Sequence, residues 1–319
     1  TSTSIGIALF PRDGQLPEEL VRNSDMAMYA AKKGGKNNFH FYDSSMNVQA
    51  MERLIMESAL RKALANDEFE LYFQPQCEAI GGALAGLEVL LRWQHPRFGS
   101  LEPTQFLALA EETDLIIPIG EWVFEKALET LAEWLSSGFD PGHLAINISA
   151  SQFKRANFVE SLLMQLDKHG IDPHYIEVEI TEQAVMEDVT RSLIVLERLS
   201  AAGIRIAIDD FGVGYSSLNY LRRFPVHTLK IDRDFVRDLE LEGGTQALTN
   251  AVIAIGKSLH LGVIAEGVET EGQLSYLQEQ GCDWVQGHYL NPPMNAAAVM
   301  DLYFCNVLEE REESSAEPA

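Results

Sequence analysis

From about residue 67 onward, strand-like runs alternate with helical patterns, and this restricts the fold more than any other feature of the chain. The runs are FELYFQP (69–75), AGLEVLLRW (85–93), HLAINIS (143–149), YIEVEIT (175–181), GIRIAID (203–209), VHTLKID (226–232), LGVIAE (261–266) and DWVQG (283–287). Apolar residues at helical spacing fill 104–138, 157–169, 188–202, 216–223, 245–260, 269–280 and 295–308. Eight strands alternating with helices over about 240 residues predict an α/β fold, a TIM-like (β/α)8 barrel. An open doubly wound sheet is the alternative. The link from Gln76 to Ala85 is a short Gly-containing turn with no helix. The first strand is therefore expected to run antiparallel to the second, a departure from the regular barrel.

Ahead of the barrel, residues 1–43 open with an apolar run, Ser4 to Phe10, then a PRDG turn and a helix that stops at Gly34-Gly35. One strand and one helix cannot bury a core, so this piece reads as the short remnant of a truncated α/β domain. Residues 44–65 read as a linker helix, and 309–319 (EEREESSAEPA) as a disordered acidic tail. No apolar run approaches the roughly 18 residues of a membrane span, and the start lacks signal-peptide features. Any membrane tether is expected from upstream domains rather than from this fragment. Three cysteines, Cys77, Cys282 and Cys305, in no metal-like spacing point to a reducing compartment, hence the cytoplasm. The formal charge of −24, from 48 acidic and 24 basic residues, argues against bulk nucleic acid or an anionic membrane as partner.

Barrel enzymes place their chemistry at the C-terminal ends of strands. There the chain puts Glu88, Asn147, Glu179 with Glu182, Asp209 with Asp210, Lys230, Glu266 and Gln286. Side chains alternate along a strand, so Ala145, Asn147 and Ser149 share one face, and Glu177 with Glu179 oppose Val178 and Ile180. The simplest geometry turns Glu88, Asn147, Glu179 and Asp209 into the barrel mouth. Four oxygen ligands, three of them anionic, suit Mg2+, Mn2+ or Ca2+; zinc would favour His or Cys. The eight histidines form no HxxxH or HExxH pair. Asp210 and Glu266 add enough carboxylates for two metals, and Lys230 adds a cation to position a water or a phosphate oxygen. Such a set suits hydrolysis of a phosphodiester.

Each residue also has a plainer reading. A strand-borne carboxylate can be a structural ion-pair partner, Glu182 can cap the helix after it, and Asp188 the next one. Gly212 and Gly214 can simply make a tight turn, because GVGYSS is not a GxGxxG fingerprint and GYSSL is not a nucleophile elbow. Arg92 and Trp93 can be a stack at the barrel rim. Six strand-end carboxylates with few basic neighbours nonetheless favour a metal site as a set.

FQPQ, EVLLRW, NIS, EVEITE, DDFGVGYSS, LKID, AEGVE and VQGHYL, in this order, resemble the EAL-domain family of cyclic-di-GMP phosphodiesterases over roughly residues 52–305, which implies a barrel domain of 52–308. Residues 1–43 (SIGIALFPRDG, then NSDMAMYAAKKGGKN) resemble the C-terminal end of a GGDEF domain. The resemblance implies a (β/α)8 barrel with an antiparallel first strand. It also implies hydrolysis of cyclic-di-GMP to linear pGpG with two Mg2+ or Mn2+ per site, Ca2+ being inhibitory. By motif, Glu88, Asn147, Glu179 and Asp209 match the ligands of one metal, and Asp209 with Asp210 those of the second. Glu266 matches the candidate base, Lys230 the residue that orients the water, and Glu182 the glutamate that braces the DDFG loop. Gln74, Arg92 and Gln286 match positions that contact substrate. A homodimer through the barrel is the family expectation, with residues 216–245 as a candidate face. Departures are Val89 (EVL for EAL), Val213 in the DDFG loop, and His288 with Pro292 in VQGHYLNPPMN. A cyclic-di-GMP receptor without turnover is the alternative function, although receptors of this kind typically lose a ligand or the base, and here each is present.

Overall fold

The computed structural model describes residues 3–35, 37–212, 218–240 and 246–305. Val213 to Ser217, part of the candidate dimer face and the acidic tail lie outside these residues. The chain forms two units, Thr1–Lys62 and Ala63–Ala319, a boundary some ten residues later than the motif-based start at 52.

In the first unit, strand β1 (Ile5–Ile7) pairs in parallel with β2 (Phe39–Phe41) across helix α1 (Pro17–Lys33). Pro17 opens α1, Glu18 and Glu19 lie in its positive first turn, and Lys32 with Lys33 in its negative last turn. Ala27 and Ala31 are fully buried beneath it. β2 was missed from sequence because three residues are too few for alternation to register. Helix α2 (Ser45–Ala63) matches the expected linker helix. Phe10 and Phe39 remain 69% and 60% exposed, as befits three short elements that cannot close a core.

The second unit contains all eight expected strands: β3 (Phe69–Glu78), β4 (Leu84–His95), β6 (Leu144–Asn147), β7 (Ile176–Thr181), β8 (Arg205–Phe211), β9 (Thr228–Ile231), β10 (Gly262–Ala265) and β11 (Trp284–Val285). A three-residue strand, β5 (Gly99–Leu101), lies on the end of β4. The order β3-β11-β10-β9-β8-β7-β6-β4 is closed into a barrel by pairing of β3 with β4. β3 runs antiparallel to both neighbours, and the other strands of the ring are mutually parallel.

Between β5 and β6 the single expected helix is two, α3 (Pro103–Glu112) and α4 (Ile116–Ser137), broken where Asp114 takes a left-handed φ of 57°. Asp tolerates that conformation better than most residues, and apolar spacing does not reveal it. One-turn helices also follow β6, β7 and β9. They are started by Ser149, Thr181 and Asp232, whose side chains accept from Gln152 N (3.2 Å), Ala184 N (3.4 Å) and Asp234 N (2.7 Å). These caps turn the chain sharply at the strand ends where the candidate residues sit.

Strand alternation divides the barrel chemically. Val178, Ile180, Ile206, Ile208, Leu229, Ile231, Val263 and Val285, on the outward faces, are at most 2% exposed beneath the helices. Inward faces are polar. At the barrel floor, Glu177 accepts from Thr228 Oγ1 (2.8 Å) and Arg205 Nε (3.2 Å), and His143 Nε2 stands 3.1 Å from Gln76 Oε1. Burial lowers the pKa of His143, keeping the imidazole neutral in this layer.

Candidate active site

Lys230, fully buried on β9, organises the barrel mouth. Its ammonium contacts Glu266 Oε1 (2.5 Å) and Glu179 Oε2 (2.6 Å), with Glu88 Oε1 and Asp209 Oδ1 both at 3.7 Å. Burial alone would lower its pKa, but Asp209, Glu179, Glu266 and Glu88 together outweigh that and raise it well above the usual lysine value. Lys230, expected as a cation that positions a water or a phosphate oxygen, here contacts carboxylates. β4, β6, β7, β8 and β10 bring Glu88, Asn147, Glu179, Asp209 and Glu266 together as the alternation predicted. Asn147 Nδ2 donates to Glu88 Oε1 at 2.7 Å.

Two adjacent strand residues normally face opposite ways, so Asp210 should point away from Asp209. It does not, because the register between β8 and β9 slips between Ile208 and Phe211 and Asp210 takes φ = 53°. The bulge re-aims both aspartates to the mouth. Asp210 N donates to Asp209 Oδ1 at 2.9 Å, and the Asp210 carboxyl stands beside that of Asp232. Burial, then the charge of Asp209, then the contact with Asp232 push the Asp210 pKa up to about 6. A left-handed, non-glycine residue is a strain that the surrounding structure must hold. Gly212 (φ = 98°) completes the turn, and its N–H donates to Glu182 Oε2 at 3.1 Å, so buried Glu182 does touch the DDFG loop. Asp188 caps its helix through Arg191 N.

Asp232 was not singled out from sequence. Its position two residues after Lys230, beyond a strand end and on the same face, was the available signal. With it, the mouth holds six carboxylates: Glu88, Glu179, Asp209 and Glu266 lie within 3.7 Å of Lys230, and Asp210 and Asp232 stand beside each other. Burial is the largest cause that raises Glu266 to about 8 and Glu179 well above the carboxylate range. Glu179 Oε1 is buried with no hydrogen-bond partner. Among the described residues no three of these carboxylates bring oxygens within 4.8 Å of one another, because they ring the Lys230 ammonium; the buried, unpartnered Glu179 Oε1 is the oxygen that a hard divalent cation would satisfy, lowering these pKa values.

The amide side chains form the opposite wall. Gln286 Nε2 donates to Glu88 Oε2 (2.5 Å) and Gln74 Oε1 (3.0 Å). Gln74 lies directly across the β3–β4 ladder from Glu88. Arg92, four residues beyond Glu88 on the same face, stands at the rim with its guanidinium 5.5 Å from the Tyr72 ring centroid. Trp93 is not part of that pair: it is fully buried and donates to Glu68. Val89 is buried on the face opposite Glu88, so the EVL departure leaves the carboxylate cluster untouched. His288 and Tyr289 are exposed.

Residues 57–293 match the family model described as EAL domain, and residues 1–38 that described as diguanylate cyclase, GGDEF domain. The chain is 46% identical over 299 residues to the bifunctional diguanylate cyclase/cyclic di-GMP phosphodiesterase MucR of Pseudomonas aeruginosa, covering 94% of this chain and 44% of that protein. It is 38% identical to the cyclic di-GMP phosphodiesterase PdeR of Escherichia coli, covering 93% and 45%. The chain therefore spans less than half the length of these relatives. Among solved structures, the MucR phosphodiesterase in complex with c-di-GMP matches with a TM-score of 0.75 at 44% identity, covering 77% of this chain and 99% of that one. The FimX EAL domain from Pseudomonas aeruginosa bound to c-di-GMP matches with a TM-score of 0.68 at 26% identity, covering 75% and 96%.

Proposed function

Residues 57–293 make this chain a member of the EAL domain family, and on that premise we propose that its barrel hydrolyses cyclic-di-GMP to linear pGpG in a metal-dependent reaction. The observation that carries the reading is the cluster itself: four carboxylates on one buried lysine, with Asp210 and Asp232 beside them and Glu179 Oε1 unpartnered. The acid exceeds what one lysine neutralises, which supports a bound cation. That all the relatives named above carry cyclic di-GMP in their names or titles supports the choice of substrate.

Glu88, Asn147, Glu179 and Asp209 would hold one divalent ion, and Asp209, Asp210 and Asp232 face the place of a second. Bound Mg2+ or Mn2+ would supply Lewis-acid stabilisation of phosphate charge and an activated water. Ca2+, which prefers a larger and more flexible set of oxygens, would compete for the same residues and is expected to inhibit. Glu266 accepts the proton of the attacking water. Burial raises Glu266 above the ordinary carboxylate range in the metal-free protein, and a bound cation would lower it again and free the carboxylate to take a proton. Lys230 acts as positioning cation for Glu266 and Glu179, since both lie within 2.6 Å of it. Glu182 holds the turn after the paired aspartates through Gly212 N. Gln74, Gln286 and Arg92 receive the nucleotide, Arg92 offering a planar fork to phosphate. Assembly as a homodimer belongs to the same proposal. No helix among the described residues is long and apolar enough to cross a membrane.

Purified protein incubated with cyclic-di-GMP and Mg2+ or Mn2+, with products separated by chromatography, tests the proposal. Metal-dependent pGpG is expected, whereas tight binding without product would make the chain a receptor. Glu266→Gln should retain nucleotide binding and lose about 10²- to 10⁴-fold in turnover; turnover at the parent rate would remove Glu266 as base.

A further inference from the structure

The wall that holds Glu88 continues past the residues assigned above. Gln286 spends both N–H groups, one on Glu88 Oε2 and one on Gln74 Oε1. Gln74 Nε2 then donates to the backbone carbonyl of Asn291 at 3.2 Å. Asn291 in turn donates its side-chain Nδ2 to the Tyr303 hydroxyl at 2.9 Å. A chain of hydrogen bonds thus runs from Tyr303, in the turn Asp301–Cys305, to a carboxylate at the barrel mouth.

The polarity of this chain matters more than its length. With Nε2 on Asn291 O, Gln74 must present Oε1 to Gln286. Gln286 must then use its Nε2 as donor, and the N–H left over meets the Glu88 carboxylate. Turning either amide over would set N–H against N–H and oxygen against oxygen. Glu88 Oε1 is already taken by Asn147, so the chain fixes the remaining oxygen and with it the carboxylate plane. The segment that carries Asn291 is tied to β3 by reciprocal bonds between Phe73 and Met294, at 2.7 and 2.9 Å. Next to Gln286 it passes so close to the backbone of Val268 that a Cβ on Gly287 would lie 2.1 Å from the Val268 carbonyl oxygen. Asn291 and Tyr303 close the remaining freedom of that segment.

We infer that Asn291 and Tyr303 are positioning residues for the metal-facing carboxylate of Glu88, acting through Gln74 and Gln286. The inference rests on the reading of the barrel mouth as a divalent-metal site. Neither side chain touches that site: Gln74 Nε2 donates to the Asn291 backbone carbonyl, and the bond from Asn291 Nδ2 to the Tyr303 hydroxyl holds that carbonyl in place.

The test is a calorimetric titration of the nucleotide-free protein with Mn2+, run on the parent and on Tyr303→Phe, Asn291→Ala and the double variant. Each single change should weaken Mn2+ binding about threefold to tenfold, the worth of one partly buried hydrogen bond. The double variant should lose little more than the worse single, because links in series break once. The Mn2+ concentration for half-maximal turnover should rise, with kcat at saturating Mn2+ within about twofold of the parent. Cys77, whose Sγ lies 3.8 Å from the Tyr303 hydroxyl outside the chain of amides, is the control: Cys77→Ala should leave Mn2+ affinity unchanged. Parent-like Mn2+ affinity in folded Tyr303→Phe and Asn291→Ala, or an equal loss in Cys77→Ala, would overturn the inference alone. A parent protein that binds no Mn2+ would overturn it together with the metal-site reading.

Discussion

Replacing Lys230 by methionine keeps the length and apolar stem of the side chain but removes the charge that four carboxylates share. At an effective dielectric constant of 20, unit charges 2.6 Å apart attract by about 6 kcal/mol, and because the pKa values of Glu179 and Glu266 are raised, only part of that is realised in the metal-free protein near neutrality. Most of that attraction offsets the cost of taking the ammonium and both carboxylates out of water. What survives is the penalty of a buried charge that has lost its partner, about 3–5 kcal/mol. In a unit of this size that corresponds to roughly 6–20 °C in Tm. Urea unfolding in EDTA, parent against Lys230→Met, measures it directly. Divalent metal supplies positive charge to the same oxygens, so Mn2+ should stabilise the variant more than the parent and narrow the gap; Mn2+ at a hundred times its Kd adds about 2.7 kcal/mol to a form that binds it. A variant as stable as the parent in EDTA, or a gap that Mn2+ leaves unchanged, would refute the view that these carboxylates are held against one another by that lysine.

The remaining predictions concern the same cluster. Glu266 at about 8 and Asp210 at about 6 both lie above their unfolded values, so the folded protein keeps protons that the unfolded chain has released. Metal-free stability should therefore fall as pH rises from about 4 to 8, by a few kcal/mol; Mn2+, which competes with those protons, should flatten the slope. Urea midpoints that rise with pH in EDTA across that range would contradict the assignment. Gly212→Ala places a Cβ 3.1 Å from Phe235 at φ = 98°, and should cost more than about 1 kcal/mol while lowering turnover by shifting the turn whose N–H donates to Glu182. Unfolding and rate measurements on that variant check both effects, and parent-like values would leave the turn without the constraint assigned to it.

The barrel was legible in the chain because its signal is periodic and local. Outward-facing valines and isoleucines must be buried under helices, so every second residue of β7, β8 and β9 is aliphatic, and the polar remainder marks the inside. Strand-end position then identified Glu88, Asn147, Glu179, Asp209 and Glu266 without knowledge of their distances. Tertiary structure decided what periodicity cannot carry. Alternation would have sent Asp210 outward, and a register slip with a left-handed residue brings it in. The sequence marks Lys230 as a cation for a water or a phosphate oxygen, and only the tertiary structure shows that it is buried against Glu179, Glu266, Glu88 and Asp209. Asp232, Asn291 and Tyr303 acquire their contacts only when segments far apart in the chain are brought together, with Gln74 and Asn291 217 residues apart. Burial and charge compensation depend on three-dimensional distance, whereas side-chain alternation depends only on the next residue along the strand; the fold follows from the second, and the state of the site from the first.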